Sequence, residues 1–390
     1  MSERLWNKNF ILIFLSNLAM AFAFNLLLPT IPIYLTEQLG IQASKVGIVM
    51  SSYTLGILLI RPFSGFLVDT LPRKRLYLIA LVFFGMVFCG YLFAATVLLM
   101  VLVRFLHGLG WGISSVAGNT IAIDSIPSHR RGEGVGYFGL TLNIAMAVAP
   151  IFGTMLYEKG GFPALIYGCL AASAVGMGFA SQLKLNHRPP VAREPLSLDR
   201  FILVKGLPAG GSFIFCAIPY GMLVSYVILY GREIAISNPP LFFLFLALGI
   251  GTSRLISGRL VDKGYMHQLT AGAMIALILS LLLLSTVHDD VAFNASGYFI
   301  GVSYGTMVPG FQYLFVNLAP ASKRGTANST YLISFDIGVS LGMLLGGFMA
   351  SSHSLPDAYL LGAASVAVSL AFYLLKVRSH FDKNKNEVRE

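Results

Sequence analysis

The chain has 390 residues, 56% of them hydrophobic and only 11% charged, with a mean hydropathy of +0.75 and a net charge of +10. A soluble domain carries roughly a quarter charged residues, so this composition excludes a water-soluble globular protein and leaves a multi-pass membrane protein as the class that fits. The apolar runs are longer and more continuous than the alternating segments of about 10 residues that build a membrane β-barrel.

The N-terminal segment carries Arg4 and Lys8. The apolar run that follows is too long for a signal-peptide core and lacks a small-residue cleavage site, so it is expected to be retained as the first span. Runs near the ~20 residues that cross a bilayer predict spans at 10–35, 44–68, 76–96, 98–124, 133–156 and 162–183. Residues 184–202 break the pattern with Lys184, His187, Arg188, Pro189, Pro190, Arg193, Glu194, Asp199 and Arg200, and read as a linker. A second set follows at 203–230, 238–261, 267–287, 292–317, 326–350 and 356–377. The expected organisation is a six-helix bundle at 1–183, the linker, a second bundle at 203–377 and a tail at 378–390. Cys89, Cys169 and Cys216 fall inside apolar runs without metal-type spacing and read as small core residues, with no disulfide framework and no metal site.

The two halves repeat. Leu55–Asp69 returns as Leu248–Asp262, both reading LGI-x3-R-x2-SG-x-LVD, at a constant offset of 193 residues (Arg61 to Arg254, Asp69 to Asp262). The register holds further on: Gly108 and Gly112 match Gly301 and Gly305, and Pro127, Arg131 and Gly132 match Pro320, Arg324 and Gly325. A duplicated half in an apolar chain points to two homologous membrane bundles, as in secondary transporters.

Basic residues between spans set the orientation. With the N-terminus inside, the inner segments hold Arg73, Lys74, Arg75, Arg130, Arg131, the linker cluster, Lys263, Lys323, Arg324 and the tail. The outer loops hold only Lys45, Lys159 and Arg232, against Glu37, Glu158, Glu233, Asp289, Asp290 and Asp357. Both termini are therefore expected in the cytoplasm, and the positive charge reads as topology, not as nucleic-acid binding.

Gly65-Phe66-Leu67-Val68-Asp69-Thr70-Leu71-Pro72-Arg73-Lys74-Arg75 resembles the loop motif G-x-L-x-D-R-x-G-R-R of the major facilitator superfamily, with Thr70 and Pro72 replacing a basic residue and a Gly. Arg104-Phe105-Leu106-His107-Gly108 with the glycines after it resembles that family's fourth-span motif. Gly136, Pro150 and Gly153 match the fifth-span motif of its exporters, while Ala145, Ala149 and Thr154 stand where Gly is usual. The resemblance covers essentially the whole chain. It implies an all-α membrane protein of twelve helices in two pseudo-symmetric bundles, a monomer working by alternating access on a small-molecule substrate, without a cofactor. It also implies that Asp69, Arg73, Arg130 and Arg131 latch the halves at the cytoplasmic face, and that Arg104 serves proton coupling or substrate charge compensation.

Other roles come from the residues themselves. Asp262 repeats Asp69, and Arg61 and Arg254 lie eight residues before these acids, roughly 12 Å deeper. They read as braces at the cytoplasmic gate or as contacts for an anionic substrate. Asp124 lies near the inner end of span four and reads as a gate contact. His107 is one turn from Arg104 and can share its face; a His can titrate near neutral pH, although a packing role is the alternative. Asp336 lies about ten residues into span eleven, where a carboxylate is a functional candidate by default. Its repeat partner is Asn143. Asn17, Asn25, Tyr53, Asn119, Asn143, Tyr220, Tyr226, Tyr304, Gln312 and Tyr313 either line a cavity or pack between helices.

No Gly-Lys-Ser/Thr phosphate loop is present, so ATP is not the driver. The expected function is secondary active transport across a bacterial plasma membrane: proton-coupled efflux of a small organic compound, a drug-like molecule or a metabolite. The alternative is proton-coupled import of a nutrient. A membrane enzyme would need a cluster of acids and His at the surface, where only His129 beside Arg130 and Arg131 stands. A sensor that kept the fold is the other rival.

Overall fold

A computed structural model describes residues 5–127, 130–185, 202–262, 264–319 and 324–385, and among these all regular structure is helical. In lipid no water satisfies the backbone, so each segment must close its own hydrogen bonds. The helix α1 (Lys8–Leu27) starts at Asn7, whose side chain accepts from the Phe10 amide at 3.0 Å. It runs on through Thr30–Ile33 and a wider turn at Tyr34–Gln38. Then come α2 (Ala43–Thr70), α3 (Arg73–Tyr91) and α4 (Val97–Ser125), the last capped by Thr96.

Arg131–Ser181 is a single stretch broken at Gly161, whose φ of 67° lies in the left-handed region that favours glycine. The arms before and after it are α5 and α6. A Cβ on Gly168 would lie 2.7 Å from the Leu156 side chain, so the arms run back along each other.

The second half contains α7 (Leu207–Glu233), α8 (Leu241–Asp262), α9 (Met266–Thr286), α10 (Asp290–Asn317), α11 (Arg324–Ser352) and α12 (Leu355–Phe372). Asp289 caps α10 and Ser354 caps α12. After a wider turn at Tyr373–Val377, the expected tail is partly helical, as α13 (Arg378–Asn384).

Nine segments of the described chain are long and apolar enough to cross a membrane, one of them being the stretch that Gly161 divides. The described part of α8 is an apolar helix over Leu241–Arg254, and α10 carries Asn294, Ser296, Tyr298, Ser303 and Tyr304. With these two, the helices correspond to the twelve expected spans.

The chain forms two compact units, Met1–Ile41 with Ser52–Glu194 and Gln42–Ser51 with Pro195–Glu390. The first turns of α2 group with the second unit. There Gly47 lies against the Met343 carbonyl, which also accepts from the Tyr226 hydroxyl at 3.1 Å. Small residues at Ala43, Gly47 and Gly347 permit this backbone approach.

Within each unit the repeat is visible atom by atom. A Cβ on Gly56 would run into the Phe105 carbonyl, and one on Gly249 into the Tyr298 carbonyl. Gly108 meets the Tyr53 carbonyl as Gly301 meets that of Leu246; Gly112 meets Ile60 as Gly305 meets Ser253. Every pair keeps the 193-residue offset. The helices α1 and α5 follow suit, since Asn17 donates to Thr141 at 2.6 Å where the second unit sets Gly210 against Ser334.

Candidate functional site

In the first unit, α4 carries Arg104 and His107 into a fully buried position. The His107 ring lies at 4.1 Å from the Phe84 ring and 4.5 Å from that of Phe88, both on α3. Its Nδ1 is 3.0 Å from the Tyr91 hydroxyl, and its Nε2 has no partner among the described residues. The Arg104 guanidinium sits 4.7 Å from the Tyr53 ring centroid and 5.8 Å from that of Phe24. These cation–π contacts spread its charge over aromatic faces. The guanidinium is a charge and hydrogen-bond neighbour of the Tyr91 hydroxyl, and its charge also acts on the His107 ring. Phe24 stacks between Tyr53 at 4.7 Å and Trp111 at 5.5 Å.

At the end of α4, Asp124 forms an ion pair with Arg73 at the start of α3. Around them, Asn7 donates to the Ser125 carbonyl at 2.6 Å, and Lys74 caps α6 through the carbonyls of Ser181 at 2.7 Å and Leu183 at 2.6 Å. Of the other residues expected at this face, Arg61 and Arg130 are half-buried and Arg254 is exposed. The side chains of Asp69, Arg131 and Asp262 lie outside the described ones.

In the second unit, Asp336 stands near the middle of α11, half-buried, with its Oδ2 enclosed. One turn earlier on the same helix, Tyr331 feels both its charge and that of Arg254 on α8. Tyr331 stacks on Phe213 at 5.1 Å, which stacks on Phe311 at 4.6 Å. Tyr220 contacts Tyr304 at 5.1 Å and Phe335, the neighbour of Asp336, at 5.4 Å. Asp336 thus shares α11 with Tyr331 and lies beside a wall of aromatic rings.

The neutral candidates divide by their bonds. Asn25 donates to Ala21 on its own helix, Tyr304 to the Cys216 carbonyl at 2.9 Å, and Gln312 to Asn328 at 3.2 Å. Asn119 is exposed, and the Asn143 amide nitrogen is buried without a partner among the described residues. Sequence reasoning did not single out Phe24, Phe84, Phe88, Tyr91 or Trp111, which enclose the Arg104–His107 turn. The density of aromatics on α3 was the signal for Phe84, Phe88 and Tyr91, while Phe24 on α1 and Trp111 on α4 carried none.

Repeated helical bundles with ionisable groups set into their spans define a multi-pass membrane transporter. The family model of the Major Facilitator Superfamily matches residues 13–341 and 295–390, and the chain belongs to that superfamily. It is 23% identical to the staphyloferrin B transporter of Staphylococcus aureus, over 96% of this chain and 94% of that protein. It is 25% identical to the multidrug resistance protein MdtG of Klebsiella pneumoniae, over 96% and 94%. Among solved structures, the fold is shared with the nucleoside transporter NupG (TM-score 0.76, 16% identity, 95% of this chain and 100% of that one). It is shared also with the peptide transporter POT (TM-score 0.78, 14% identity, 95% and 94%).

Proposed function

We propose that this transporter exports a small organic compound, a drug-like molecule or a metabolite, in exchange for protons, from the cytoplasm of a bacterial cell with both termini inside. The observation that carries the reading is Asp336, a half-buried carboxylate in the middle of α11 with its Oδ2 enclosed. A charge at that depth is costly, and protonation removes the cost. Proton binding and release at Asp336 then bias which side of the membrane the site faces, since a ligand shifts a conformational equilibrium by its differential affinity for the two states. The export direction is supported by the partial fifth-span motif (Gly136, Pro150, Gly153) and by a relative named for multidrug resistance.

The test is transport in proteoliposomes under an imposed pH gradient, with a panel of labelled metabolites and of cationic and anionic dyes, comparing wild type with Asp336→Asn. Gradient-driven movement that the substitution abolishes is the expected result. Gradient-driven movement that survives Asp336→Asn would remove Asp336 from the coupling path.

A further inference from the structure

The tail helix α13 is tied to the ends of three other helices of the second unit. Phe381 is buried, edge-on to the His267 ring of α9 at 5.5 Å and 6.3 Å from the Tyr313 ring of α10. His380 Nε2 lies 2.9 Å from the Lys205 carbonyl, just before α7. Asp382 accepts from Lys385 at 2.7 Å and also reaches toward His267. A helix of seven residues is not stable alone in water, so these contacts are what hold α13 in place.

One of them is short of a proton. His267 Nε2 is enclosed and has no hydrogen-bond partner among the described residues. The other ring nitrogen, Nδ1, is 2.8 Å from the Tyr373 hydroxyl. That hydroxyl has acceptors of its own: Met266 Sδ at 3.8 Å and Thr270, whose own proton goes to the Met266 carbonyl at 2.8 Å. Nδ1 is therefore the donor toward Tyr373. In the neutral ring this leaves Nε2 as a bare acceptor, 3.8 Å from the Asp382 carboxylate, which is an acceptor too. A second proton on the ring converts the opposed acceptors into an ion pair. Asp382 favours the imidazolium, while burial and the charges of Arg378 and Lys385, both on α13 or its end, oppose it. The repeat shows what the position does. At 193 residues earlier stands Lys74, which ties down the end of α6 through the carbonyls of Ser181 and Leu183. The second unit has a titratable cation where the first has a permanent one.

We propose that the His267–Asp382 contact is a pH-sensitive latch for the tail: on the acid side the imidazolium pairs with Asp382 and fixes α13 to α9, and as the pH rises the pair is lost and α13 is released more often. An unperturbed imidazole changes charge between about pH 5 and 8. The latch adjoins the aromatic wall of the second unit. Tyr373 lies edge-on to Phe311 at 5.9 Å, Phe311 stacks on Phe213, and Phe213 stacks on Tyr331, in the turn before Asp336. With the termini inside, as proposed above, the pH sensed is that of the cytoplasm. The docking itself rests neither on the direction of transport nor on Asp336.

The test is hydrogen exchange read by mass spectrometry on the detergent-purified full-length protein, corrected for intrinsic exchange, without substrate or gradient. The amides of α13 are expected to open about two- to fivefold less often at about pH 6 than at about pH 8, the range of a partly exposed ion pair. Asp382→Asn, at a partly exposed side chain, and His267→Phe, which keeps a ring against Phe381, should each remove that pH dependence. His380→Gln keeps a donor for the Lys205 carbonyl and should retain it. Equal protection at both pH values in wild type overturns the proposal. So does a pH dependence that persists in Asp382→Asn, or one that disappears in His380→Gln. Asp336→Asn should leave the latch unchanged, so transport that stays coupled in that variant would sink the coupling reading alone.

Discussion

Gly108 and Gly301, 193 residues apart in sequence, make the same contact. Each sets its bare Cα against the backbone carbonyl of a neighbouring helix, at Tyr53 and Leu246, which are themselves 193 residues apart. A methyl group at either position would strike backbone, which moves less readily than a side chain. Gly108→Ala and Gly301→Ala are each expected to destabilise the protein by about 1–3 kcal/mol through overpacking, lowering the melting temperature by similar amounts. Gly251, with open space where its Cβ would be, is the control; Gly251→Ala should be neutral or slightly stabilising. Equal melting temperatures for all three variants would show that the two helix pairs relax freely.

The Tyr91 hydroxyl is the one hydrogen-bond partner of the His107 ring among the described residues. Tyr91→Phe keeps the aromatic wall and leaves both ring nitrogens without partners. The expected loss is about 1–3 kcal/mol, the desolvation cost of an unsatisfied buried group, read as a lower melting temperature. A variant as stable as wild type would mean that the ring finds another partner or tips out of the cage.

Arg73 at the start of α3 pairs with Asp124 near the end of α4, with 22% and 23% of their side chains exposed. A partly exposed pair is worth about 1 kcal/mol at most, so Asp124→Asn alone should cost little stability. Its electrostatic nature is tested by reversal: Asp124→Arg places two cations together and should lower stability further, while Arg73→Asp combined with Asp124→Arg should recover most of the loss. Absence of recovery in the double variant would assign the effect to local packing.

Much of the fold could be read from the residues because the membrane simplifies the problem. Spans are long, backbone hydrogen bonds must close within them, and the duplicated LGI-x3-R-x2-SG-x-LVD segment fixes how the halves correspond. The 193-residue register at Gly56, Gly108 and Gly112 is obeyed by the helix contacts because close approach requires glycine there. What one-dimensional pattern does not carry is which side chains meet. The pairing of Arg73 with Asp124 joins residues 51 apart on different helices. The enclosure of His107 by Phe84, Phe88 and Tyr91 depends on the rotation of α3 against α4, and an apolar run has little amphipathic signal to fix that rotation. Polar residues in spans were equally ambiguous. Tyr304 and Asn25 spend their hydrogen bonds on backbone, whereas Asn143 leaves one open. Nothing in the letters separates these cases.

The first residue of α10 offers a pH-dependent test of a single contact with the α7–α8 connection. Asp290 accepts from the Ser237 hydroxyl at 2.6 Å and from the Ser237 amide at 2.8 Å. These bonds, the hydroxyl first, hold its carboxyl below the ordinary aspartate value of 3.8. A depressed carboxylate pKa favours the folded state above the unfolded value, and that contribution fades as pH falls through the folded-state value. Ser237→Ala removes the hydroxyl bond and keeps the amide bond. Its penalty should therefore be fully present at about pH 7, shrink as the pH drops below about 4 and vanish once Asp290 is protonated in both states. Thermal unfolding of wild type and Ser237→Ala across that range measures the difference directly. A penalty of the same size at acid and neutral pH would assign the Ser237 effect to loop packing, with no part for the charge on Asp290.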